Sequence, residues 1–258
     1  MQELEIDTKS YFYFKKFTVK QDLCPLRVGT DAVLLGAWAN FEGAKSILDV
    51  GTGTGVIALM LAQRHEAYIK GIDINPLAAK QSMDNFKNNL WASRMHSRHI
   101  SVQDLSYTGQ KYDGIICNPP FFAGSLHSPD TRKTEAKHSD LVLPLDELFL
   151  SAVNLLTENG SLAIILPAEL YDKAIYLANQ QSLFPSKVLW VRTLADKPPK
   201  RVLIHLYRKK HTPINESIIS IEHLPEGRFL PEYEKLVEDY FLNKQERQIL
   251  FGLKKARF

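Results

Sequence analysis

Ser46-Ile47-Leu48-Asp49-Val50-Gly51-Thr52-Gly53-Thr54-Gly55 joins a short apolar run to three glycines at alternate positions. Residues from Gly55 to about His65 then carry apolar side chains at helical spacing. That is a strand, a glycine turn and a helix. The glycines let the backbone approach a ligand closely, and the following helix presents unpaired N–H groups at its first turn. Alone, the pattern fits a tight turn in any α/β protein as well.

The alternation continues along the chain. Tyr68 to Ile74 reads as a second strand and Pro76 to Asn89 as a second helix, with Pro76 in a first turn where its missing N–H costs nothing. His99–Gln103, Tyr112–Cys117 and Ser161–Pro167 read as further strands, and Pro144–Leu156 and Ala168–Gln181 as helices. Such alternation implies a parallel sheet covered on both faces. Lys187–Leu194 and Arg201–Tyr207 are strand-like runs joined only by Ala195-Asp196-Lys197-Pro198-Pro199-Lys200, too short a link for a parallel crossover. An α/β chain with a mostly parallel, seven-stranded sheet closed by an antiparallel hairpin resembles the Rossmann-like class I methyltransferase fold rather than a dehydrogenase. Ahead of it, the aromatic run Tyr11–Val19 and a helix-like Thr30–Asn40 read as a small N-terminal extension or lid, residues 1–45, on a catalytic domain spanning residues 46–258.

The chain's 258 residues are 45% apolar, enough for one ordinary α/β core with a small extension. A net charge of +3 permits a polyanionic partner without establishing one. Cys24 and Cys117, in a chain with no apolar run long enough for a signal peptide or membrane span, imply a reducing, cytoplasmic setting. No Cys/His cluster has metal-ligand spacing, so no metal is expected.

Asp73 closes the second strand about where an acidic side chain accepts hydrogen bonds from ribose hydroxyls in folds of this class. Asp49 ends the first strand and suits the amino acid moiety of a methionine-bearing cofactor. Asp104 follows the third strand and is placed to meet an adenine amine, or to act as a helix cap. Three carboxylates beside a glycine turn oppose a pyrophosphate and favour a sulfonium, which points to S-adenosylmethionine rather than a nicotinamide cofactor.

Asn118-Pro119-Pro120-Phe121 ends the fourth strand and indicates the reaction. The Asn118 side-chain oxygen and the Pro119 carbonyl are two rigid acceptors for a planar amine. They would hold its lone pair toward a methyl group and stabilise the positive charge that develops on nitrogen. Phe121 offers a face for stacking a base. A cytosine-carbon methyltransferase would instead need an exposed thiolate. Cys117 falls inside a strand and Cys24 has no basic partner, so both read as structural.

At these residues the chain resembles the bacterial tRNA(Val) adenine-N6 methyltransferases, which act on the adenosine at position 37 of the anticodon loop. Phe17-Thr18-Val19-Lys20-Gln21 and Arg27-Val28-Gly29-Thr30-Asp31-Ala32-Val33-Leu34-Leu35-Gly36-Ala37-Trp38 look like that family's N-terminal signature, in which Lys often replaces Arg27. Asn118-Pro119-Pro120-Phe121-Phe122, Ser125-Leu126 and Ala136-Lys137-His138 extend the likeness, with Lys137 where Arg is more usual. The resemblance covers roughly residues 11–245.

It implies that Gln21, Gly29, Thr30 and Asp31 close over the donor, and that Asn118, Pro119 and Phe121 are catalytic. Gln21, Thr30, Asp49, Gly51, Gly53, Gly55, Asp73, Asp104 and Asn118 would then bind S-adenosylmethionine. It further implies a tRNA substrate, and the protein is expected to be a monomer. Lys15, Lys16, Arg132, Lys133, Lys137, Lys197, Lys200 and Arg201 are candidates for the flanking phosphates, with His138 and residues 253–258 as further ones. Methylation of a glutamine amide in a translation factor uses the same acceptor chemistry. Against it stand only about 48 residues before the glycine turn, where that family resembles chains with a sizeable helical domain.

Overall fold

β3 (Ser46–Val50) lies inside an eight-stranded sheet, third from one edge, and its apolar side chains are buried on both faces. The computed structural model describes residues 9–120, 143–221, 229–243, 245 and 246. β4 (Tyr68–Asp73) and β5 (Met95–His99) extend the sheet to one side of β3. β6 (Tyr112–Cys117), β7 (Leu156–Pro167), β9 (Arg201–Tyr207), β8 (Phe184–Arg192) and β10 (Asn215–Ser220) follow in that order on the other. Among these strands β9 alone runs against its neighbours.

The central strands alternate between two cores. Ile47 and Ile116 join one apolar cluster, whereas Leu48, Val50, Ile115 and Cys117 join the other. The first cluster is covered by α1 (Thr30–Trp38), α2 (Val56–Arg64) and α7 (Pro231–Val237), the second by α4 (Val102–Ser106), α5 (Leu145–Leu155) and α6 (Tyr171–Gln180). α3 (Pro76–Lys87) starts on the Asn75 side chain, which accepts from the N–H groups of Leu77 and Ala78, with Pro76 in its first turn.

The N-terminal aromatic run folds as β1 (Tyr11–Tyr13) and β2 (Thr18–Lys20), an antiparallel pair separate from the main sheet. Phe14, Phe17 and Val19 are buried in the first cluster beside Tyr240, whose carbonyl accepts from the Lys15 N–H.

Two expectations need correction. The third strand occupies Met95–His99 rather than His99–Gln103. This edge strand buries only Met95 and Ser97 on one side, so its apolar signal is faint. Ile100 and Val102 alternate with polar residues as in a strand, but Ser101-Val102-Gln103-Asp104 instead opens α4, since the Ser101 hydroxyl accepts the Asp104 N–H and donates to the Asp104 carboxylate. The sheet has eight strands rather than seven, because β10 pairs in parallel with β8 at the edge. Its first four residues are exposed, which leaves no alternating pattern to read.

Candidate active site

The register of the sheet brings the sequence candidates to one place. Val50 pairs with Ile72 on one side and with Cys117 on the other. Gly51, Asp73 and Asn118 therefore leave three adjacent strands at the same carboxyl edge. Here the chain reverses direction across the sheet, stepping from β3 to β4 and β5 and then returning to β6. A crevice at such a switch point is where open α/β sheets take their ligands.

The glycine turn forms because Gly51, Gly53 and Gly55 all adopt left-handed backbone, at φ +68°, +55° and +83°. A Cβ on Gly51 would meet nothing within 4 Å, whereas one on Gly55 would lie 2.6 Å from Phe86 Cε1. The first glycine thus opens the crevice and the third lets α2 pack close to α3. Between them Thr52 and Thr54 are buried, and the Thr52 N–H donates to the Ile72 carbonyl across 2.9 Å.

Asp73 is half-buried, and one of its oxygens holds the glycine turn while the other holds the start of α3. Oδ2 accepts the Gly53 N–H at 2.9 Å and Oδ1 the Asn75 N–H at 2.8 Å. Burial raises its pKa, against the pull of these two hydrogen bonds. Each oxygen keeps a lone pair for a ligand hydroxyl.

Asp49 is fully buried beneath the turn. Its Oδ2 accepts the Thr52 hydroxyl at 2.7 Å, while Oδ1 takes no well-formed hydrogen bond, although the Ala58 amide lies near enough to favour the charged form. Desolvation dominates and pushes the pKa up to about 7. Asp104 is exposed beyond the end of β5, where its carboxylate is held by Ser101 in the helix cap.

From the N-terminal side, Gln21 is buried and its Oε1 accepts the Val28 N–H, closing residues 21–28 into a loop. Cys24 reaches the glycine turn, with Sγ 3.6 Å from the place of a Cβ on Gly53. Thr30 is exposed at the start of α1. Beside it, Asp31 accepts the Arg201 Nε–H at 2.8 Å, so Arg201 enters any interface already paired.

Asn118 is half-buried and Pro119 buried at the end of β6. No described group is hydrogen-bonded to the Asn118 amide. Phe121, Arg132, Lys133, Lys137, His138 and residues 253–258 lie outside the described residues. Lys15 donates to the Glu238 carbonyl at 2.7 Å, and Lys16 is exposed beside it. Lys197 and Lys200 are exposed in the link from β8 to β9, Lys197 within 3.3 Å of Asp196. Burial raises the pKa of both Cys24 and Cys117, so neither supplies a ready thiolate. Among the described residues no group of three His, Cys, Asp or Glu side chains could hold a metal ion.

Gln81 and Asn85 escaped the sequence reading. Both are buried on α3, where they hold the backbone of Leu23, Lys20 and Thr54. Their signal in the sequence is slight, because a polar helical face ordinarily means solvent.

Residues 28–182 match the methyltransferase small domain family. The chain is 41% identical over 233 residues to a tRNA1(Val) (adenine(37)-N6)-methyltransferase of Parabacteroides distasonis, covering 90% of this chain and 98% of that one. It is 42% identical over 243 residues to the protein of the same description from Porphyromonas gingivalis, covering 89% and 94%. In fold it is similar to a predicted O-methyltransferase from Agrobacterium tumefaciens, with a TM-score of 0.61 at 15% identity over 81% of this chain and 96% of that one.

Proposed function

We propose a mechanism for a chain that belongs to the methyltransferase small domain family and, within it, to the tRNA1(Val) (adenine(37)-N6)-methyltransferases. Its reaction is methylation of the exocyclic amine of adenosine 37 in tRNA. The observation that carries the mechanism is the adjacency of Gly51 and Asn118 across β3 and β6, which sets a donor cradle beside an amine acceptor.

The site suits S-adenosylmethionine. Gly51 faces open space, Asp73 has lone pairs to spare, and Asp49 keeps a buried oxygen without a well-formed bond. Carboxylates on both sides of the turn favour a ligand bearing sulfonium and ammonium charges over a pyrophosphate. S-adenosylmethionine, when bound, supplies an electrophilic methyl group.

In our reading Gly51, Gly53 and Gly55 shape the floor of the pocket, and Asp73 receives the ribose hydroxyls. Asp49 supports the turn and attracts the ligand's ammonium, and Asp104 faces the adenine amine. Gln21 and Thr30 close the pocket from the N-terminal segment, residues 1–45, which acts as a lid on the catalytic domain. The target adenine leaves its stack and enters the crevice edge-first. Asn118 Oδ1 and the Pro119 carbonyl accept its two N–H groups and hold the nitrogen lone pair toward the methyl donor. Phe121 stacks on the ring. As the nitrogen becomes positive, the same two oxygens stabilise it without reorganising, so the transfer is direct and uses no thiolate. Lys197 and Lys200 serve the flanking phosphates. We read the protein as a cytoplasmic monomer, a reading that its two free, buried cysteines support as far as compartment is concerned.

Transfer of labelled methyl to total tRNA and to total protein, assayed in parallel, tests the substrate class. Label in tRNA alone is expected, and label on protein glutamine would overturn the reading.

A further inference from the structure

The buried polar face of α3 does not pack as core. Asn85 Oδ1 accepts the Lys20 N–H at 2.9 Å, while its Nδ2 donates to the Lys20 carbonyl and to the Thr54 carbonyl, each at 2.8 Å. One turn earlier, Gln81 Oε1 accepts the Leu23 N–H at 2.9 Å. Lys20 thus pairs with position 85 and Leu23 with position 81, so the N-terminal strap runs antiparallel along α3 toward its first turn. That first turn follows Asp73 directly. The strap therefore delivers residues 21–28 to the crevice, and Cys24 lands against Gly53.

Asn85 touches both walls at once. Thr54 lies inside the glycine turn, one residue before Gly55, and Lys20 begins the strap. Both Nδ2 protons and one Oδ1 lone pair are used, which fixes the side chain in one orientation. Lys20 itself points its ammonium elsewhere, 3.0 Å from Asp22.

We propose that Asn85 is a positioning residue for the methyl donor, joining the strap to the glycine turn so that the two walls of the donor pocket are set as one unit, with Gln81 as the second fastening. This rests on the S-adenosylmethionine reading above. Asn85 touches no reacting atom and acts through Lys20 and Thr54.

The test compares Asn85→Asp with Ser82→Ala. The first keeps the shape but sets an anion against two carbonyls. The second removes a buried hydroxyl from the same helix that bonds only Ala78, Ala79 and Ser97. Asn85→Asp is expected to weaken S-adenosylhomocysteine binding, measured by calorimetry, about tenfold or more, as the loss of one or two buried hydrogen bonds implies. KM for the donor should rise by a similar factor, with kcat at saturating donor within about twofold of wild type. Trypsin should cut faster after Lys20 and Arg27 in the ligand-free variant, while Ser82→Ala behaves as wild type in every assay.

A folded Asn85→Asp with wild-type affinity and cleavage would overturn the proposal, as would an equal loss in Ser82→Ala. Should Asn85→Asp not fold, Gln81→Met decides by the same readouts, because it removes the Leu23 fastening with little change of shape. If wild-type protein does not bind S-adenosylhomocysteine, the donor reading fails instead, and the cleavage comparison still decides whether Asn85 holds the strap.

Discussion

The Gly53 N–H donates to Oδ2 of Asp73 across 2.9 Å, so the carboxylate expected to receive the ribose already holds the glycine turn. The Asn75 N–H occupies the other oxygen, which sets the start of α3 by the same side chain. Asp73→Asn should therefore be nearly as harmful as Asp73→Ala, because its amide must point a donor at one of these two N–H groups. Both variants should bind S-adenosylhomocysteine about tenfold or more weakly, as read by calorimetry. An Asn variant with near wild-type affinity would show that the turn does not depend on this carboxylate.

Asn118 divides from Asp73 in what it does. Asn118→Ala should lower kcat by about 10²–10³, the usual scale for losing one preorganised partner of a developing charge, and leave S-adenosylhomocysteine affinity within about threefold. Single-turnover transfer and calorimetry on one preparation separate the two effects. Equal losses of binding and transfer in both Asn118→Ala and Asp73→Ala would remove the division of labour.

The glycines divide too. Gly55→Ala should destabilise the fold by about 1–3 kcal/mol, since a left-handed residue gains a methyl group 2.6 Å from Phe86 Cε1. Gly51→Ala adds its methyl to open space, so it should cost less stability and fill the ligand's cradle instead. Urea unfolding set beside ligand calorimetry distinguishes them, and the reverse ranking would place the crevice elsewhere.

The central strands could be read from the sequence because their apolar runs end abruptly in Gly51 and Asn118, residue types with few uses at a strand end. β5 escaped because an edge strand of Met-His-Ser-Arg-His buries two side chains and resembles a loop. The strap's fastening was out of reach for a different reason. Asn85 and Gln81 find partners 65 and 58 residues away, and only the fold reveals that their polar face meets backbone rather than water. Asp49 was legible as a site residue, but its full burial depends on how the turn closes over it.

That burial has a pH signature. Asp49 binds its proton more tightly in the folded chain, at a pKa of about 7, than when unfolded, at about 3.8. Its contribution to stability is thus complete below about pH 4 and is lost as pH rises toward 7. Asp49→Asn cannot ionise, so its thermal midpoint should gain on wild type steadily between those values in ligand-free protein. A constant difference across the range would mean that Asp49 does not titrate there.

The most direct measurement offers S-adenosylmethionine and the protein two valine tRNA transcripts, one with adenosine at position 37 and one with guanosine there, followed by nucleoside analysis. The predicted result is N6-methyladenosine in the first, none in the second, and almost none in either with Asn118→Ala. Methylation of an adenine ring nitrogen would contradict an amine held by Asn118 and Pro119, and methylation of the guanosine transcript would contradict adenosine 37 as the target.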